Sequence, residues 1–231
     1  MFRALIHGLT AGLPSQCEVC HAWPAQPVCE ACVARFAQPL PRCRTCALPV
    51  PAGVLCCGAC VRAPPLLDAC LAAVPYTFPW GHLITRYKFG GAPGWSATFA
   101  LLLRSTPWVE PALEQADLLL PMPLSGQRLQ ERGFNQALEL ARHLAPAKTD
   151  AELLLRIRHT PPQSSLKRDE RLHNVRAAFA VDPQRSEALR NKRVVLLDDV
   201  MTSGASLFAA AQVLRQAGAA HITGLVLART E

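Results

Sequence analysis

The chain has 231 residues, half of them hydrophobic and 18% charged, which excludes a disordered chain and allows one large domain, or a medium one with a small companion. Its formal net charge of +7 favours polyanionic partners or phosphorylated ligands. No apolar run reaches the roughly 18 residues that a membrane helix needs. The opening MFRALIHGLTAGLPSQC is too broken, by His7, Gly8 and Gly12, to be a secretory signal; it reads as a short amphipathic helix at the start of a cytoplasmic chain.

All ten cysteines lie between Cys17 and Cys70. In a cytoplasmic setting such a cluster points to metal more than to disulfides. Cys17/Cys20, Cys29/Cys32, Cys43/Cys46 and Cys57/Cys60 are each C-x2-C, the spacing that lets two thiolates reach one ion from a tight turn. Together they supply the ligands for two tetrahedral, closed and therefore structural Zn2+ sites. The simplest pairing joins the first two pairs and the last two, as in a double zinc ribbon; cross-braced pairing and a single filled site are the alternatives. Cys56 competes with Cys57, at a less usual spacing, and Cys70 is expected simply to be buried. The segment is also rich in proline (Pro39, Pro41, Pro49, Pro51, Pro64, Pro65), which excludes long helices. Residues 1–68 are thus expected to form an N-terminal helix and a zinc-ribbon module. Without metal so core-poor a module should unfold.

Beyond it the texture changes. Residues 71–79 suggest a strand or two, 97–103 a short helix, and Asp117–Pro121 a buried strand. Phe134, Ala137, Leu138, Ala141 and Leu144 form a helical stripe. Leu153–Leu155 suggests a further strand, Val194–Leu197 another, Gly204–Ala217 a helix stopped by Gly218, and Ile222–Ala228 a final strand. Strands alternating with helices over 69–231 predict an α/β fold with a mainly parallel sheet, whose ligand should sit beyond the carboxyl ends of its strands.

The most informative stretch is VVLLDDVMTSGAS, Val194–Ser206. Its aliphatic run has the composition of a strand buried on both faces, which places Asp198 and Asp199 at its carboxyl end. Adjacent ionised carboxylates repel and are costly to desolvate, but they become useful if both accept hydrogen bonds from neighbouring sugar hydroxyls. The small-residue turn that follows opens a helix, whose free amides, hydroxyls and dipole favour phosphate. The GxxxxGK[ST] pattern of a Walker loop is absent.

This stretch resembles the 5-phosphoribosyl 1-pyrophosphate (PRPP) motif of type I phosphoribosyltransferases. The resemblance implies that Asp198 and Asp199 hold ribose hydroxyls and that Thr202, Ser203, Gly204, Ala205 and Ser206 hold the 5′-phosphate. It also implies a second loop for pyrophosphate, for which LLPMPLS with Ser125 is the candidate. From Arg156 to Phe179 the chain is basic and, at Pro161 to Ser165, loop-like. Such a segment, with Arg158, Gln163 and Arg171, can close over a phosphate site or make a general positive patch for nucleic acid.

RGFNQ at Arg132–Gln136, the spacing of Thr160, Gln163, Arg171, Asn174 and Phe179, the DDVMTSGAS turn, and YKFGG at Tyr87–Gly91 together resemble the ComF/ComFC/GntX family. These are bacterial proteins linked to competence and DNA utilisation, with a cysteine-rich finger before a phosphoribosyltransferase domain. The resemblance runs from about Pro14 to Arg229 and implies a type I phosphoribosyltransferase-like sheet with flanking helices, PRPP bound with Mg2+, and Lys88 as a ligand-binding lysine. It implies transfer of phosphoribosyl to a nitrogen nucleophile that no motif identifies. The other function class is a non-catalytic PRPP sensor that docks single-stranded DNA or DNA-uptake proteins.

Overall fold

The computed structural model describes residues 15–157 and 178–231. The chain falls into two compact units, 1–38 and 39–231. In the smaller, a β-bridge joins Ser15 to Ala25 and helix α1 spans Glu30–Phe36.

The larger unit opens with a second cysteine segment carrying helix α2 (Gly58–Arg62). Strand β1 (Ala69–Pro75) follows, then helices α3 (Trp80–Phe89), α4 (Trp95–Arg104) and α5 (Val109–Gln115). Strand β2 (Leu118–Pro121) leads to α6 (Gly126–Arg132) and α7 (Gln136–Leu144). Strands β3 (Leu154–Arg156) and β4 (Phe179–Val181) form a two-stranded antiparallel sheet. The chain ends with β5 (Arg193–Met201), α8 (Ala205–Gln216) and β6 (His221–Arg229).

The main sheet is parallel throughout, in the order β1-β6-β5-β2. Its central strands are buried almost from end to end, as parallel strands covered on both faces must be. Helices α4, α5 and α7 pack on one side of the sheet; α8 packs against β4, β5 and β6. The core on the α8 side gathers Val194, Leu196, Ile222 and Val226 with Leu207, Ala210 and Leu214.

Two expectations need revision. The strand read as Val194–Leu197 runs on to Met201, because β6 keeps pairing with it: Asp198 lies beside Val226, Val200 beside Ala228 and Met201 beside Arg229. The backbone ladder is indifferent to side-chain charge, so the acid pair ends the apolar run but not the strand. The cysteine segment also divides where composition does not. Cys43, Cys46, Cys57 and Cys60 share the core of the α/β body with Leu67, Cys70 and Met201. The boundary expected at 68/69 therefore falls inside one compact unit.

Candidate active site

Successive residues of a strand face opposite sides of its sheet, so Asp198 and Asp199 diverge. Asp199 is buried and meets Lys88 of α3, with Nζ 2.8 Å from Oδ1, and Arg132 of α6, with Nη1 3.8 Å from Oδ2. Asp198 is partly buried and accepts a hydrogen bond from the Asp199 backbone N–H at 2.9 Å. Burial, and then the neighbouring Asp199 charge, push its pKa up to about 7, against the opposing pull of Lys88 and Arg132.

The cations are placed by local sequence. Lys88 sits in the last turn of α3, which ends at Gly90. Tyr87, beside it, is fully buried; its hydroxyl donates to the Gln136 carbonyl at 2.9 Å, and its ring packs against Phe99 and Phe134. Helix α6 starts at its N-cap Ser125, whose Oγ accepts from the Arg128 amide, and stops at Gly133 with φ +77°. A left-handed stop of this kind favours glycine, and it leaves Arg128 and Arg132 on the last turns of the helix. Arg132 stacks over the Phe89 ring and donates to Gln136 Oε1 at 2.8 Å. Its Nε is buried without a hydrogen-bond partner.

These groups surround a cleft of about 150 Å³, lined by Lys88, Met122–Leu124, Arg128, Arg132, Arg156, Asp198–Thr202 and Gly204–Leu207. It sits at the carboxyl ends of β2 and β5, where a parallel α/β sheet binds ligands. Four cations face two carboxylates, so the cleft is net positive. Burial, and then the Arg128 charge, lower the pKa of Arg156. An orphan buried donor and crowded guanidinia are what a bound anion would relieve.

The turn after β5 is held by Gly204 at φ +81°. A Cβ there would lie 2.5 Å from Met201 Cε and 2.6 Å from Phe208 Cζ. Only glycine fits both the backbone and the space. Helix α8 begins immediately after it, at Ala205, and aims its free amides at the cleft end of the sheet.

Of the residues expected at the site, Asp198, Asp199, Lys88, Thr202, Gly204, Ala205 and Ser206 line one cleft. Ser203 is turned elsewhere: its Oγ accepts from the Ala205 amide and it lines a groove beside the second cysteine group. Ser125 is buried as a helix cap and does not line the cleft. Arg158, Gln163 and Arg171 lie outside the described residues. Arg128 and Arg132 were not expected at the site, and Arg156 only as the start of the basic segment; all three line the cleft. The i, i+4 spacing of Arg128 and Arg132 ahead of Gly133 was the available signal, but it does not say which way the helix faces.

The cysteines form two groups of four, Cys17/Cys20/Cys29/Cys32 and Cys43/Cys46/Cys57/Cys60, each with its sulfurs within 4.8 Å of one another. Sulfurs 2.3 Å from a tetrahedral Zn2+ stand about 3.8 Å apart. Here Cys17–Cys32 is 3.9 Å and Cys20–Cys29 3.6 Å, while Cys46–Cys57 is 3.7 Å. Both groups can hold zinc, in the simplest of the pairings. They also repeat one local design. His21 and Ala47, directly after the first pair, take positive φ and return a hydrogen bond to the Cys17 and Cys43 carbonyls. Cys29 and Cys57 are helix N-caps, and Cys32 and Cys60 lie in the short helices α1 and α2. Cys57, not Cys56, is in the second group, and Cys70 is buried outside it.

A parallel sheet that closes an acid pair, a Thr-Ser-Gly-Ala-Ser turn and a ring of cations around one cleft defines a phosphoribosyltransferase-type domain. Residues 129–230 match the model of the phosphoribosyl transferase domain. The DNA utilization protein YhgH of Salmonella typhimurium is 30% identical over 88% of this chain and 90% of its own. Competence protein F of Haemophilus influenzae is 31% identical over 75% and 78%, and competence protein ComFC of Bacillus subtilis 30% identical over 64% and 58%. The chain belongs to the ComF family of competence and DNA-utilisation proteins. A solved structure of the allosteric regulatory enzyme of purine biosynthesis aligns at TM-score 0.36 and 18% identity, over 59% of this chain and 25% of its own, too slight a likeness to carry an argument. No helix among the described residues is long and apolar enough to cross a membrane.

Proposed function

We propose that the cleft binds PRPP and that the domain transfers its phosphoribosyl group to a nitrogen nucleophile. The observation that carries this reading is one cleft lined at once by Asp198, Asp199, Thr202 and Gly204–Ser206 of the turn, and four cations. In this reading Thr202, Gly204, Ala205 and Ser206 take the 5′-phosphate, while the carboxylates orient the ribose hydroxyls. Lys88, Arg128, Arg132 and Arg156 face the pyrophosphate, and the buried Arg132 Nε finds an acceptor on a phosphate oxygen. In the reaction a bond forms from nitrogen to the anomeric carbon, the bond from that carbon to the pyrophosphate oxygen breaks, and pyrophosphate leaves with the electron pair. Positive charge growing on the ribose is stabilised by the two carboxylates. Asp198, with a pKa near 7, can take the proton that the nitrogen loses.

The partly buried Asp198 carboxylate fits a divalent ion as an oxygen ligand. Mg2+ held there with the ligand would supply neutralisation of the pyrophosphate charge. The relatives' names, DNA utilization protein and competence protein, favour a role in DNA use or competence; single-stranded DNA or a DNA-uptake protein is the macromolecular partner in this reading.

Calorimetric titration of PRPP, with and without Mg2+, tests the reading. Saturable heat that needs Asp198 supports it; no heat at millimolar PRPP overturns it.

A further inference from the structure

Arg229, the last residue of β6, is only 6% exposed. A guanidinium so deep in the protein needs hydrogen bonds and compensating charge. Its hydrogen bonds run in two directions. Nε donates to the carbonyl of Cys46 at 3.0 Å. Nη1 donates to the carbonyls of Met201 at 3.3 Å and Thr202 at 2.5 Å, and to the Thr230 carbonyl. One side chain thus joins a ligand of the second four-cysteine group to the backbone of the turn after β5. A second arginine, Arg42, donates from Nη1 to the carbonyl of Ala47, the residue after Cys46, at 3.0 Å.

Charge explains why arginines flank this group. Four thiolates and one Zn2+ sum to about −2, which the guanidinia of Arg42 and Arg229 offset. Geometry explains what Arg229 does at its other end. In a trans peptide the N–H points opposite to the C=O. Drawing the Met201 and Thr202 carbonyls toward Arg229 therefore turns the amides of Thr202 and Ser203 away from it. The backbone of the turn is set from behind, by a residue that does not line the cleft.

We propose that Arg229 is a positioning residue that couples the second four-cysteine centre to the phosphate turn, so that metal held by Cys43, Cys46, Cys57 and Cys60 sets the shape of residues 201–206. This rests on reading that turn as the phosphate site, and it adds to that reading a second role for the zinc. The centre then does more than fold its own segment: losing its metal leaves a buried cation without its counter-charge and slackens the turn.

The test uses the full zinc-loaded chain, its Arg229→Gln and Arg229→Lys variants, and a Cys20→Ser variant that disturbs only the first group. Amide hydrogen exchange over 201–206 and zinc release to a chelator are read without PRPP. Expected are faster exchange in the turn and zinc release from one centre faster by about tenfold, the usual cost of losing an outer-shell partner, in Arg229→Gln. Arg229→Lys, which keeps the charge but not the fork, should restore zinc retention more than turn protection. Cys20→Ser should leave the turn unchanged. Should Arg229→Gln not fold, graded chelation of the unaltered chain gives the same reading: turn exchange must rise as the second zinc leaves. Unchanged turn exchange, in the variant or on loss of the second zinc, overturns the coupling. Failure of the unaltered chain to bind PRPP would overturn the proposed function and leave the exchange and zinc results standing.

Discussion

Gly204→Ala probes the turn proposed to hold phosphate at its tightest point. The native φ of +81° costs a residue with a Cβ about 1–2 kcal/mol. The added methyl would also meet Met201 Cε at 2.5 Å and Phe208 Cζ and Cε2 at 2.6 and 2.7 Å. Overpacking of this kind costs about 1–3 kcal/mol, and since the contacts are the far ends of two side chains that can swing, the lower half of that range applies. The sum is about 2–4 kcal/mol, a large part of a typical domain's stability. Gly133→Ala is the internal control: it stands at φ +77° with nothing within 4 Å of the added Cβ, so it bears the backbone cost alone, about 1–2 kcal/mol. Urea unfolding of both variants, zinc-saturated and compared at equal m-values, isolates the clash. Gly204→Ala should be the less stable by about 1–2 kcal/mol and should bind PRPP at least about tenfold more weakly, because a Cβ at this φ strains the turn proposed to hold the ligand. Equal midpoints for the two variants would refute the packing argument.

The acid pair gives a pH prediction. The folded pKa of Asp198, near 7, lies above its unfolded value of 3.8, so the fold prefers the protonated acid. Its stabilising contribution is complete below about pH 4 and is lost as pH rises through 7. Asp198→Asn should therefore stabilise the ligand-free protein at pH 8 by about 1–3 kcal/mol and flatten the fall in stability between pH 4 and 7, while weakening PRPP binding; an unchanged stability profile counts against the shift. Among the described residues, Lys88→Met leaves the buried Asp199 carboxylate with Arg132 alone, at 3.8 Å, and should cost about 3–5 kcal/mol. Adding Asp199→Asn to it should recover most of that loss in a double-mutant cycle. In the cysteine module, Cys57→Ser should remove one zinc by elemental analysis, whereas Cys56→Ser should remove none.

What could be read from the chain, and what could not, divides along physical lines. Buried parallel strands advertise themselves, because covering both faces demands unbroken aliphatic runs such as Val194–Leu197 and Ile222–Ala228. The turn at Thr202–Ser206 was legible for a related reason: small residues around a glycine mark a crowded turn that needs a positive φ. The end of β5 was not legible, because the continuing ladder with β6 depends on a neighbour distant in sequence, and Asp199 is made tolerable there by Lys88 and Arg132, also distant in sequence. The direction in which Arg132 of α6 points depends on Phe89 and Gln136, and no periodicity records that. The last cysteine marks where a residue type stops, not where packing stops, and Arg229, 183 residues from Cys46 along the chain, shows why. A buried arginine at a strand end carries no motif. Its meaning lies in which carbonyls it gathers, and those become visible only once β6 has brought the second cysteine group and the turn after β5 within reach of one guanidinium.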